Sequence, residues 1–171
     1  MFNTKVYLTE ENLVEFTKEF VSQDLILDKQ FKPYKFRPDV LIQKQKIILE
    51  FDGYLHYTQP NIILKDYEKN NILKNLGYKI IRIPYFVQLD EKTIKYIFPD
   101  LLVYRISEYP HGFIDKKAIL PAAFCELGIK RFIDDLEKFN FIKNDIIESL
   151  ENKIKELGNI LLVYPPSMIN K

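Results

Sequence analysis

A chain of 171 residues with 25 basic and 24 acidic side chains has room for one domain plus an appendage and for a sizeable core. Its formal net charge of +1 argues neither for nor against a nucleic-acid partner. A single cysteine, Cys125, excludes an internal disulfide and a cysteine-based zinc site, which accords with a reducing intracellular, cytoplasmic setting. Apolar runs are short and broken by Lys, Asp or Pro, below the roughly 18 residues of a spanning helix, so neither a membrane segment nor a secretory leader is expected.

In chain order, Thr9 is the predicted N-cap of a first helix that runs to about Val21. Leu8 and Leu13 form a hydrophobic staple, and Leu13, Phe16 and Phe20 make its buried stripe. Glu15 and Glu19 lie near that stripe, most simply as solvated helix acids. An extended segment around Leu27 to Phe31 leads into a hairpin, Arg37 to Ile42 and Lys46 to Gly53, turned over a polar loop at Gln43 to Lys46. Strand alternation puts Phe36, Pro38, Val40, Ile42, Ile47, Leu49 and Phe51 on one apolar face. The other face carries Arg37, Asp39, Leu41, Ile48, Glu50 and Asp52. Symmetric pairing places Asp39 opposite Glu50 and Arg37 opposite Asp52, with paired side chains only about 5 Å apart. Like charges so placed are destabilising without a cation between them, and a hard divalent ion with oxygen ligands meets that need. Arg37 reads either as the partner of Asp52 or as a phosphate contact.

A helix from Asn61 to Leu76 follows, with the stripe Ile62, Asp66, Lys69, Leu73 and Leu76. Its two charged members either pair with each other at the stripe's edge or point into the carboxylate cluster. The latter is favoured because charged side chains are rarely buried alone. Tyr78 to Ile83 is the next strand, Asp90 caps a short helix through Phe98, and Leu101 to Ile106 reads as another strand. Ser107 to Pro121 is a loop by its turn residues, with His111, Lys116 and Lys117 as groups that could reach a DNA groove. Pro121 opens a helix toward Phe139 that Gly128 threatens to interrupt, and a second amphipathic helix spans about Asp145 to Leu157 before Gly158. Between residues 29 and 46 six cations, among them Lys35, Arg37 and Lys44, face one acid, a local excess that suits phosphates. A solvated lysine-rich surface is the plainer reading.

Pro38-Asp39, ten intervening residues and Glu50-Phe51-Asp52 resemble the PD-(D/E)XK phosphodiesterase motif. Gly53, His56, Asp66, Lys69, Leu73 and Gly77-Tyr78 are similar to the branch related to very-short-patch repair endonucleases. The resemblance covers residues 9 to 86 and departs from the family in one place: its usual lysine is Asp52 here. It implies an α/β fold with a nuclease-like core of helix, three strands, helix and strand, a mixed sheet flanked by helices, over residues 1–106. Residues 107–171 are then a loop and a mainly helical extension packed on the core or in a dimer interface. The implied activity is that of a metal-dependent DNA endonuclease, foremost a type II restriction-like enzyme acting as a homodimer on double-stranded DNA. Alternatives are a repair or nicking enzyme and an inactive DNA-binding module of the same fold. Implied with it are Mg2+, with Mn2+ as a substitute, held by Asp39, Glu50, Asp52 and an acid from the first helix, Glu15. His56 is the proton carrier or phosphate contact, and Lys69 stands in for the missing lysine.

Overall fold

The computed structural model describes residues 7–21, 25–26, 34–101, 109–113 and 118–169. Helix α1 (Glu10–Phe20) starts where the sequence places it: Thr9 Oγ1 accepts from the Asn12 N–H at 3.1 Å, and Leu8 and Leu13 are both buried in the main core. Strands β1 (Leu25–Ile26), β2 (Val40–Ile42), β3 (Ile47–Asp52) and β4 (Lys79–Pro84) form one sheet in the order β1-β2-β3-β4. The first two pairings are antiparallel and β3–β4 is parallel, so the coarse α/β class with a mixed sheet and flanking helices is present. The expected strand at 27–31 falls on residues outside the description except for the adjoining β1, and most of the one expected at 101–106 does as well.

The hairpin register is the one the turn dictates. Val40 pairs with Leu49, Leu41 with Ile48 and Ile42 with Ile47, and Lys46 closes the turn with its N–H on the Gln43 carbonyl at 3.1 Å and a left-handed φ of 53°. Phe36 is a correction: it packs with Leu41, Ile48, Tyr78 and Ile80 under Leu73, not on the Val40 face. The strand begins only at Val40, and Lys35 takes a φ of 54°, so two-residue alternation does not carry back across Pro38.

From β3 the chain makes a single turn, α2 (Leu55–Thr58), and then crosses to β4 through α3 (Pro60–Asn75), the long connection that a parallel pair requires. Helix α4 (Glu91–Ile97) is capped by Asp90, whose carboxylate accepts from the Thr93 N–H at 2.7 Å. After a 3-10 turn at Pro121–Ala123 come α5 (Glu126–Lys138), a second such turn at Asn140–Ile142, and α6 (Lys143–Leu157), closed by Gly158 at φ 68°. A further 3-10 turn at Ile160–Leu162 and the short α7 (Pro166–Ile169) complete the described chain. Gly128 does not interrupt α5; it lies inside the helix, against the backbone of Tyr57.

One sheet face, with Val40, Ile42, Leu49, Ile81 and Ile83, joins Leu13 and Phe16 of α1, Ile94 of α4, Phe132 of α5 and Ile146 of α6 in a single core. The extension therefore packs on the sheet domain and shares its core. The other face is apolar only at one end, where Leu41 and Ile48 meet Leu73 of α3. Toward the C-terminal ends of β3 and β4 the same face turns polar, with Glu50, Asp52 and Arg82, and that end positions the candidate site.

Candidate nucleic-acid interface

Strand period puts Glu50 and Asp52 on one face of β3, and the parallel register sets Arg82 of β4 opposite Glu50. Helix α3 lies over that end and lowers Asp66 and Lys69 onto it. These two do not pair with each other. Lys69 Nζ donates to both oxygens of Glu50 at 2.7 Å and to the Arg37 carbonyl at 3.3 Å. Asp66 accepts from His56 Nδ1 at 2.6 Å and from Arg131 Nη1 at 2.7 Å, and its second oxygen lies 3.0 Å from Arg82 Nη2. Because the ionised carboxylate can only accept, the His56 proton sits on Nδ1.

Asp52 is fully buried and met on both oxygens: Arg82 Nη2 at 2.6 Å and Nε at 3.1 Å on Oδ1, Arg82 Nε at 2.9 Å and Arg131 Nη2 on Oδ2. Glu50, Asp52 and Asp66 thus balance Lys69, Arg82 and Arg131. Buried ion pairs persist only where the remaining donors and acceptors are satisfied in this way. Arg131 comes from α5, some eighty residues from Asp52 in sequence, and no local pattern in the sequence announces it. Its guanidinium also stacks over the Tyr57 ring, 5.4 Å from the centroid.

Burial works to raise the Asp66 carboxyl, but the His56 hydrogen bond and the Arg82 and Arg131 guanidiniums outweigh it and hold Asp66 well below the usual carboxylate range. Burial raises Glu50, with Lys69 opposing. Asp39 has less help. Its Oδ2 accepts from the Phe51 N–H at 2.6 Å, yet burial first and the Glu50 charge second push it up to about 7. The folded protein therefore keeps a proton on Asp39 that an unfolded chain releases near pH 4, and stability declines as pH rises from about 4 through 7. The shift caps this effect at about 4 kcal/mol, and partial exposure reduces it to roughly 1–2 kcal/mol. Thermal unfolding should show a melting temperature higher at pH 5.5 than at pH 8, and Asp39→Asn should remove most of that difference. An unchanged slope in the variant would assign it to other groups.

Among the described residues the donor set whose atoms all lie within 4.8 Å of one another is Asp52, His56 and Asp66, not Asp39, Glu50 and Asp52. Its carboxylate oxygens are the ones that Arg82 and Arg131 already occupy. Glu15 is exposed on α1, and the α1 acid whose charge reaches Asp39 is Glu10. Arg37 is exposed and is not a partner of Asp52, whose cations come from β4 and α5. Lys35 and Lys44 are exposed on or beside the hairpin. His111 is buried, accepts the Gln88 N–H on Nδ1 at 2.9 Å and places Nε2 3.0 Å from Asp90, so it faces inward. Lys116 and Lys117 lie outside the described residues.

Beside the network, and sharing Arg82 with it, a cleft of about 340 Å³ opens along β4. Asn70 and Lys74 of α3, Lys79, Ile80, Ile81 and Arg82 of β4, Tyr96 of α4 and Lys138 of α5 line it.

Residues 49–98 match the family model of the RAP domain, a segment that runs from β3 through α4. No curated protein and no solved structure matches the chain. The match corrects the PD-(D/E)XK reading. It takes in Glu50, Asp52, Gly53, His56, Asp66, Lys69, Gly77 and Tyr78, the residues that carried the nuclease resemblance, and leaves out Pro38-Asp39, the half of the motif on which the phosphodiesterase assignment depended. The endonuclease activity, its restriction and repair variants and the inactive-nuclease alternative go with that assignment. Two of the acids read from sequence as a cluster, Glu50 and Asp52, have lysine and arginine partners drawn from α3, β4 and α5, while Asp39 accepts from the Phe51 N–H.

No helix among the described residues is long and apolar enough to cross a membrane.

Proposed function

We propose that this chain is an RNA-binding module. The RAP-domain match at residues 49–98 carries the reading, because RAP domains are RNA-binding. Two features support it. The cleft along β4 is walled almost wholly by residues of the matched segment, and its titratable side chains are cations and a tyrosine. The buried ion network then serves as the frame that fixes α3, β4 and α5 around that cleft, and the reading includes no catalytic step. Fluorescence anisotropy on single-stranded RNA, DNA of the same sequence and double-stranded DNA is the test. RNA should bind most tightly, with affinity falling as salt rises because displaced counterions drive association. Equal affinity for all three would reduce the reading to a non-specific polyanion contact, and no binding would overturn it.

A homodimer remains part of the proposal on one observation: Leu157, Ile160, Leu161 and Leu162 stand exposed together at the end of α6. Light scattering across a concentration series decides it; a monomer mass throughout would remove the dimer.

A further inference from the structure

We propose that the cleft along β4 seats one unpaired nucleotide of an RNA strand, its phosphate on Lys74 and Lys79 and its base against Tyr96. This rests on the RNA-binding reading above and goes on to name the place and the ligand chemistry. Charge is the first support. The chain as a whole is balanced at +1, yet Lys74, Lys79, Arg82 and Lys138 converge on one cleft whose lining includes no carboxylate. Five lysines outside the cleft hold acids: Lys69 with Glu50, Lys95 with Glu91, Lys130 with Asp134, Lys143 with Glu137 and Lys153 with Glu156. Others, such as Lys18 and Lys65, stand singly on the surface among the described residues, so it is the convergence on one cleft that sets Lys74 and Lys79 apart. Lys138 shares itself with Asp135 at 2.8 Å, and Arg82 is committed to Asp52. Among the described residues Lys74 and Lys79 have no carboxylate partner, so their charge is available to a ligand.

Backbone geometry is the second support. Among the described residues β4 stands at an edge of the sheet. Lys79 and Tyr85 turn their N–H groups inward, to the Lys46 carbonyl at 2.8 Å and the Asp52 carbonyl at 2.9 Å. The alternation of ladder hydrogen bonds then turns the N–H groups of Ile80 and Arg82 away from β3, and both residues line the cleft. Pro84, next in that series, has no N–H to present, and proline is tolerated at such an edge position. Outward amides beside paired lysines suit a phosphate oxygen, which accepts from both.

The third support is the aromatic. Tyr96 is 41% exposed, and its ring is braced by tilted contacts with Phe139 and Phe141, centroids 5.2 and 5.4 Å away. A braced but exposed ring loses little freedom on binding, and nucleobases stack on such rings regardless of sequence. Only an unpaired base has a face to offer, since a duplex already covers its own. The cavity lies at the small end of the range for ligand pockets, on the scale of a single nucleotide and not of a helix groove.

The test is anisotropy with a short fluorescein-labelled oligouridylate, on full-length variants whose folding is verified by their melting curves. Lys74→Ala with Lys79→Ala should weaken binding at least tenfold and lower the salt slope by about 0.7, the contribution of the one phosphate the two lysines share on a single strand. Lys18→Ala with Lys65→Ala removes the same charge from exposed sites on α1 and on α3 outside the cleft lining, and should cost less than threefold. Tyr96→Ala should weaken binding roughly fivefold or more, Tyr96→Phe should not, and a duplex RNA probe should be indifferent to both. A parent that binds oligouridylate while the two lysine pairs lose affinity equally would overturn the cleft and leave the RNA-binding reading intact. A parent that does not bind RNA would overturn that reading and the cleft with it.

Discussion

Arg131→Met should destabilise the protein by about 3 kcal/mol, within the range found when one partner of a buried ion pair is removed. The substitution keeps an unbranched apolar stem but withdraws the guanidinium that lies over the Tyr57 ring and donates to Asp52 Oδ2, to Asp66 Oδ2 at 2.7 Å and to the His56 carbonyl at 3.3 Å. Asp52 would then depend on Arg82 as its one guanidinium, and Asp66 on Arg82 and His56. Arg131→Lys should recover only part of the loss, because an ammonium is a point charge and cannot bridge two acids as a planar guanidinium does. Combining Arg131→Met with Asp52→Asn should cost less than the sum of the two single changes, by about 1–3 kcal/mol, since the residues act through one contact. Urea unfolding measures all four proteins. If Arg131→Met costs under about 1 kcal/mol, Arg82 neutralises both acids unaided and α5 does not complete the network.

How much of this was legible in the sequence differs by the range of the interaction. Caps and the hairpin register depend on residues a few positions apart, and they are where local patterning puts them: Thr9 and Asp90 cap their helices, and Val40 faces Leu49. The clustering of Glu50, Asp52, Asp66 and Lys69 was also readable, because strand and helix periods determine which side chains share a face. What the sequence could not show was their partners. Arg82 is reached through a parallel register and Arg131 through the docking of α5, both properties of the assembled fold. In the sequence Asp39, Glu50 and Asp52 stand without sight of those two guanidiniums, and like charges gathered on one ribbon read as a place for a cation. The basic cleft escaped for a related reason. Lys74, Lys79, Tyr96 and Lys138 are spread over four elements, whereas the positive stretch at residues 29–46 is legible because its charges are close together in sequence.

Gly128→Ala should destabilise by about 3 kcal/mol or more, the severe end of overpacking, and the sign of the change makes it diagnostic. In an ordinary helix interior the same substitution stabilises by roughly 0.5–1 kcal/mol, because alanine loses less backbone freedom than glycine. Here a Cβ would meet the Tyr57 carbonyl oxygen at 1.7 Å and its carbonyl carbon at 2.5 Å. Both are backbone atoms of α2, with no flexible side chain to turn aside. The Tyr57 carbonyl is further fixed by the Cys125 N–H at 3.1 Å, and the Tyr57 hydroxyl by Asp135 at 2.7 Å, so relief requires α5 to move away from α2 as a body. That movement would also lift Arg131 from Asp52, and the packing and electrostatic losses would arrive together. For a chain of this size each 1 kcal/mol corresponds to about 2–4 °C in melting temperature, so the variant should melt at least 6 °C below the parent. A melting temperature at or above the parent's would show that α5 is not seated against Tyr57, and would remove Arg131 from the network by the same measurement.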